Sequence, residues 1–126
     1  MEENDLKGKK ILLAEDDEMF IFILRRYLRK LGFDFTVTRN GQQAIDLVRI
    51  NKFDIVIMDF GLPILSGLEA ARIIKTELGK KFANLPIIGF SGVDEIEPSY
   101  SEYFNGFISK NVNQPEMLEK LSAHLK

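Results

Sequence analysis

The sequence predicts one α/β domain, a doubly wound sheet of five parallel strands with helices on both faces. Three observations carry this. Short runs that are apolar at nearly every position alternate with longer segments of helical period, helix follows strand five times, and charged residues stand where the apolar runs stop. A strand covered on both faces reads as a continuous apolar run, and regular β-to-α alternation implies a parallel sheet with right-handed crossovers. The 126 residues, 45% of them hydrophobic, suffice for one ordinary domain with a buried core.

Residues 1–9 are polar and charged, and Gly8 separates them from the first apolar run, so they read as a flexible leader and the domain proper as 10–126. Ile11-Leu12-Leu13-Ala14 is the first strand. Met19 to Leu31 places Phe20, Ile23, Leu24, Tyr27, Leu28 and Leu31 at helical spacing and stops at Gly32, a suitable residue just past a helix end. Phe33 to Thr38 is rich in aromatic and β-branched residues and forms the second strand. Asn40 caps a second helix through Ala44, Ile45, Leu47 and Val48. Asp54 to Asp59 is the third strand. Ser66-Gly67-Leu68-Glu69 fits a capping box and opens a helix from Gly67 to Leu78, followed by a Gly79-Lys80-Lys81 turn. Pro86 to Phe90 is the fourth strand and Gly106 to Ser109 the fifth. Between them Pro98 interrupts any long helix, leaving one short helix over 99–104. The last helix begins near Asn113-Gln114-Pro115-Glu116 and buries Met117, Leu118, Leu121 and Leu125.

Composition narrows the function classes. A formal charge of -2 and a pI near 5.5 supply no general field for nucleic acid, so direct binding to it is not expected. With no cysteine the chain has no disulfide, thiolate metal site or cysteine nucleophile. No apolar stretch approaches the roughly 20 residues that span a bilayer, and no signal-peptide pattern opens the chain, which reads as cytoplasmic and free of the membrane.

The chemistry concentrates at strand ends, where open α/β sheets bind ligands. With strands one and three adjacent, Glu15, Asp16 and Asp59 converge at the carboxyl edge. Close carboxylates repel unless a cation sits among them, and a hard ion, Mg²⁺ or Mn²⁺, satisfies them together with waters and a phosphate oxygen. The backbone carbonyl of Gly61 offers one more ligand. The ion would screen Asp59 so that its oxygen can attack a phosphorus already carrying negative charge. Lys110 would bring positive charge to the phosphoryl oxygens and Ser91 Oγ a hydrogen bond, while the N–H groups of Phe60 and Gly92 complete the cradle. The product is an aspartyl phosphate on Asp59.

The motifs Ile11-Leu12-Leu13-Ala14-Glu15-Asp16-Asp17, Met58-Asp59-Phe60-Gly61-Leu62-Pro63 with Ser66-Gly67-Leu68-Glu69, Ile87-Ile88-Gly89-Phe90-Ser91-Gly92 and Phe107-Ile108-Ser109-Lys110 together resemble the response-regulator receiver domain of two-component signalling. The resemblance spans about residues 10 to 126, in the right order. It implies a flavodoxin-like sheet of order 2-1-3-4-5 and a phosphoacceptor switch, not an enzyme acting on a separate substrate. The phosphoryl donor would be a phosphohistidine on a histidine kinase or histidine phosphotransfer protein. Glu15 and Asp16 would be the acidic pair, Asp59 the acceptor, Ser91 the switch hydroxyl, Phe107 the switch aromatic and Lys110 the lysine. The downstream partner is not legible, and the chain is expected to be a monomer or weak homodimer.

Three departures stand out. Asn111 follows Lys110 where the family usually has proline, so either a cis peptide costing roughly 3 kcal/mol is retained or Lys110 is held differently. The segment between Ser91 and Lys110 is about one helical turn short of the family pattern. Phe107 replaces the frequent tyrosine. Gly61 and Val93 occupy positions that in this family influence self-dephosphorylation, and neither offers a polar side chain to orient water, which predicts a long-lived phosphoryl group.

Plainer roles are assigned elsewhere. Asp17 caps or flanks the first helix, Asp54 and Glu69 are structural, and Phe107 faces the core apart from its implied switch role. His124 has no catalytic part. Arg25, Arg26, Arg29 and Lys30 form a solvated face or part of a donor's docking surface. The alternative function is a receiver-like interaction module that works without phosphorylation. A phosphohydrolase would want an acid where Gly61 stands, and a flavin carrier would want a hydroxyl-rich loop where the first strand ends in carboxylates.

Overall fold

The computed structural model describes residues 6–92 and 101–125. Its strands are β1 (Lys10–Ala14), β2 (Asp34–Thr38), β3 (Ile55–Asp59), β4 (Ile87–Ser91) and β5 (Gly106–Ser109), and its helices α1 (Glu18–Lys30), α2 (Gly41–Ile50), α3 (Gly67–Thr76), α4 (Lys80–Ala83) and α5 (Gln114–Ser122). All strands pair in parallel in the order β2-β1-β3-β4-β5, as the resemblance implied. Every residue of β3 and β4 is buried, which explains their unbroken apolar runs.

Alternation along the strands divides the core in two. Leu13, Ile57, Phe90 and Ile108 point to the layer formed with Leu24 and Leu28 of α1 and Met117 and Leu121 of α5. Leu12, Val56, Met58 and Ile87 point to the opposite layer, against Ala44 and Val48 of α2 and Ala70 and Ile74 of α3. Each of these helices starts on a side-chain cap. Asp17 accepts from the Met19 N–H at 2.8 Å, Asn40 from Gln43 at 2.8 Å, Ser66 Oγ from Glu69 at 3.1 Å and Asn113 from Glu116 at 2.9 Å.

Two expectations about boundaries need correction. Residues 6–9 of the expected leader are docked, because Leu6 is 1% exposed and packs in the core layer with Leu28, Leu31 and Phe33. The Gly8 N–H donates to Gly32 O at 2.9 Å, so a single apolar side chain among charged ones was enough to anchor the turn. The third helix stops at Thr76, not Leu78, and the supposed turn is the one-turn helix α4, restarted at Gly79 with φ of 115°. Of the short helix expected over 99–104, positions 99 and 100 lie outside the described residues; Ser101 is helical, and Glu102 and Tyr103 already form a turn.

Gly67 fixes how β3 leads into α3. A Cβ there would fall onto the Asp59 carbonyl oxygen, and the Gly67 N–H donates to Phe60 O at 2.9 Å. Since the obstacle is backbone and cannot rotate away, Gly67→Ala is expected to destabilise the fold by about 1–3 kcal/mol. Urea denaturation checks this, and an unchanged midpoint would mean that the turn yields.

Candidate functional site

Three strand ends build one acidic pocket with a lysine across it. β1 runs into Glu15, whose backbone N–H is held by Thr38 O at 3.0 Å, and β3 ends on Asp59, in register with Phe90 of β4. Carboxylate oxygens of Glu15, Asp16 and Asp59 lie within 4.8 Å of one another. Glu15 is fully buried, Asp59 is 7% exposed, and Asp16 faces solvent. Lys110, the first residue after β5, brings Nζ to 3.0 Å from Asp59 Oδ1 and 3.5 Å from Glu15 Oε1.

The electrostatics are unbalanced toward negative charge. Burial pushes the Glu15 carboxyl up to about 7, and the neighbouring Asp59 charge adds to the effect. Burial alone would lower the Lys110 ammonium, but its hydrogen bond to Asp59 and the charges of Asp59 and Glu15 outweigh that, and the net direction is up. One lysine therefore stands against three carboxylates. Glu15 Oε2 is buried with no hydrogen-bond partner, while Oε1 accepts from the Asp17 N–H at 3.3 Å. An orphaned buried oxygen costs free energy unless something satisfies it. A hard divalent cation fits this all-oxygen set, with Glu15, Asp16 and Asp59 as its holders.

The remaining expected residues surround the same edge. Ser91 ends β4 beside Ser109 and is 9% exposed, and its carbonyl accepts from the Lys110 N–H at 3.0 Å. Gly92 is exposed and lies against the Lys110 stem, 3.9 Å from its Cδ to an ideal Cβ. Phe60 follows Asp59 directly, and Gly61 is exposed with open space where a side chain would be. Val93 lies outside the described residues. No peptide bond among the described residues is cis, so Lys110 reaches the carboxylates through a trans connection to Asn111, whose N–H donates to Ser109 Oγ at 3.1 Å.

Phe107 departs from its expected core-facing position: it is 39% exposed. It sits on the edge strand opposite Gly89, so neighbouring rings and not a strand side chain flank it, Phe104 at 5.6 Å and Phe60 at 6.2 Å between centroids. A Cβ on Gly89 would meet both Phe60 and Phe107. The structural roles of Asp17, Asp54 and Glu69 hold, with Asp54 accepting from the Lys10 N–H at 2.7 Å and Glu69 from Arg72 at 2.6 Å.

Sequence reasoning missed the aromatic support of Lys110. Its Nζ stands 4.7 Å from the Phe20 centroid and 5.4 Å from that of Phe90, and the two rings meet edge to face at 5.6 Å. This cation–π cradle confines the ammonium beside Asp59. Phe20 is in the first turn of α1, so its position just after the acidic cluster was the available signal; its apolar type assigned it to the core instead.

The family model described as the response regulator receiver domain matches residues 11–122. The polar-differentiation response regulator DivK of Brucella anthropi is 28% identical over 120 residues, covering 93% of this chain and 96% of that protein. The autoinducer 2 sensor kinase/phosphatase LuxQ of Vibrio cholerae is 32% identical over 124 residues, which are 95% of this chain but only 14% of LuxQ. Among solved structures, the receiver domain of sensor histidine kinase PA1611 from Pseudomonas aeruginosa, with a magnesium ion in its active-site cleft, superposes with a TM-score of 0.83 at 25% identity, covering 94% of this chain and 98% of that one.

Proposed function

The chain belongs to the response regulator receiver domains, phosphoacceptor switches of two-component signalling, and we propose that its own acceptor is Asp59, loaded from a phosphohistidine. The observation that carries this reading is the pocket itself: Asp59 joined to Glu15 and Asp16 within 4.8 Å, with Lys110 Nζ at 3.0 Å. Glu15, Asp16 and Asp59, with the Gly61 carbonyl, would hold Mg²⁺ (or Mn²⁺), which when bound offsets carboxylate charge and draws a phosphate oxygen inward. Magnesium in the cleft of the Pseudomonas receiver domain supports that ion.

The residues of this chain divide the work. An Asp59 oxygen attacks phosphorus as the phosphohistidine nitrogen leaves with the bonding pair, Lys110 neutralises charge on the phosphoryl oxygens, and Ser91 Oγ donates to one of them. N–H groups of Phe60 and Gly92 are suited to the others. The consequence is a changed partner affinity, with Ser91 and Phe107 as the switch pair. Phe107 is half-exposed between the site and open surface, where a shift of Ser91 toward phosphate would leave it room to turn inward.

A histidine kinase or a histidine phosphotransfer protein is the proposed donor. Two elements that carry the site present apolar side chains for it, Met19 and Phe22 of α1, 58% and 62% exposed, and Ile64 after Asp59, 84% exposed. Ile64 also holds φ at 70°, a costly conformation for a β-branched residue outside the core. Among the described residues no helix is long and apolar enough to cross a membrane, and we place the reaction in the cytoplasm.

Intact mass after incubation with acetyl phosphate tests the reading. One phosphate adduct that appears with Mg²⁺ and is absent with EDTA is expected. A folded protein that gains no adduct from acetyl phosphate or from a phosphohistidine donor would instead favour the phosphorylation-independent module. With no polar side chain at Gly61 or Val93 to orient water, the isolated phosphoprotein is expected to keep its label well beyond seconds; decay within seconds would count against that role for these positions.

A further inference from the structure

We propose that a groove at the amino end of the sheet, opposite the Asp59 pocket, docks an acidic peptide segment carrying an apolar anchor. The groove, about 390 Å³, lies between the end of α2, the segment entering β3, and α4. Its apolar lining includes Val48, Phe53, Phe82 and Leu85. All four pack in the core layer shared with α2 and α3, so the surface is held in place whether or not anything occupies it.

The charge around that lining is of one sign. Arg49, Lys52 and Lys81 border the groove and no carboxylate does. Arg49 and Lys52 come from one stretch of the chain and Lys81 from another, all are exposed, and no carboxylate among the described residues pairs with any of them. Lys81 Nζ instead lies 5.0 Å from the Phe82 ring centroid, which keeps its charge over the groove. The whole chain carries a formal charge of -2, so this is a local reversal of sign and not a share of a general positive field. Ile50, 78% exposed, extends the apolar surface outward from the same rim.

These features select the occupant. Cations dispersed around an open groove suit several carboxylates spaced along an extended chain, at about 3.3 Å per residue, better than a single compact anion. The half-buried rings of Phe53 and Phe82 offer an apolar contact for a leucine or phenylalanine between those carboxylates. Electrostatic attraction then sets register and encounter rate, and the apolar anchor supplies contact area. The groove shares no residue with the acidic pocket.

Chemical-shift mapping on the isotopically labelled full chain tests this, with a short peptide in which a leucine–phenylalanine pair is flanked on both sides by glutamates. The expected result is saturable shifts within 48–53 and 81–85, with Glu15, Asp59 and Lys110 unmoved. Combined Arg49→Glu, Lys52→Glu and Lys81→Glu substitution is expected to weaken binding at least ~10-fold, and added salt to weaken it further. If that variant does not fold, Lys52→Glu alone should weaken binding about threefold. Shifts that fall elsewhere, a peptide with lysines in place of glutamates that binds equally well, or an affinity indifferent to the substitutions would each overturn the proposal. Failure of the peptide where benzoate, anionic lipid vesicles or an oligonucleotide moves the same resonances would overturn it in favour of that ligand.

Discussion

Asp59→Asn is expected to leave the chain folded and to abolish the phosphate adduct, lowering labelling by at least ~100-fold. The substitution keeps the shape of a side chain that is only 7% exposed and removes the carboxylate that would attack phosphorus. Lys110 loses the charge of its 3.0 Å partner, whose amide oxygen can still accept, keeps Glu15 at 3.5 Å, and its ammonium remains over Phe20 and Phe90. Removing one of three clustered carboxylates also relieves repulsion, so the stability cost should be small. Thermal denaturation provides the folding control and intact mass the readout. Wild-type labelling in this variant would move the acceptor to another residue.

Magnesium affinity is expected to fall about tenfold from pH 8 to pH 6, because the ion must displace a proton from Glu15, whose carboxyl is pushed up to about 7. At pH 8 the group is mostly ionised and ready to bind; at pH 6 it is mostly protonated. The metal-free fold shows the converse. A carboxyl whose value rises on folding contributes stability that is complete below its ordinary value of 4.5 and is lost as the pH rises through about 7. Saturating Mg²⁺ should suppress that acid-side gain by favouring the ionised form. Isothermal titration at the two pH values measures the first effect, and thermal denaturation with and without the ion the second. Glu15→Gln should weaken binding and flatten its pH dependence; a wild-type affinity equal at pH 6 and pH 8 would show that binding displaces no proton from Glu15 in that range.

Much of the fold was legible because its signals are local. The apolar runs at Ile11–Ala14 and Ile55–Met58, the caps Asp17, Asn40, Ser66 and Asn113, and the helical spacing of α1 depend on a few neighbouring residues each. The site was legible for a related reason. A parallel sheet sends every strand end to one edge, so charges after three apolar runs had to meet there once β1 and β3 were neighbours.

What the sequence by itself determined, then, was the order of elements, the parallel sheet and the gathering of Glu15, Asp16, Asp59, Ser91 and Lys110 at one edge, since alternation, capping and strand-end charge act over short stretches of chain. Only the tertiary structure decided how those groups are held. Leu6 found its place beside Phe33, Phe20 and Phe90 closed around Lys110, Gly67 met the Asp59 carbonyl, and Phe107 lay half-exposed over Gly89. Apart from Gly67 and Asp59, which one loop joins, these pairings bring together residues distant in sequence, and their type alone says only that they are apolar, small or charged. Burial is likewise a property of the assembled layers, which is why the raised carboxyl of Glu15 and its unpartnered oxygen emerge only when β1 lies packed inside the sheet.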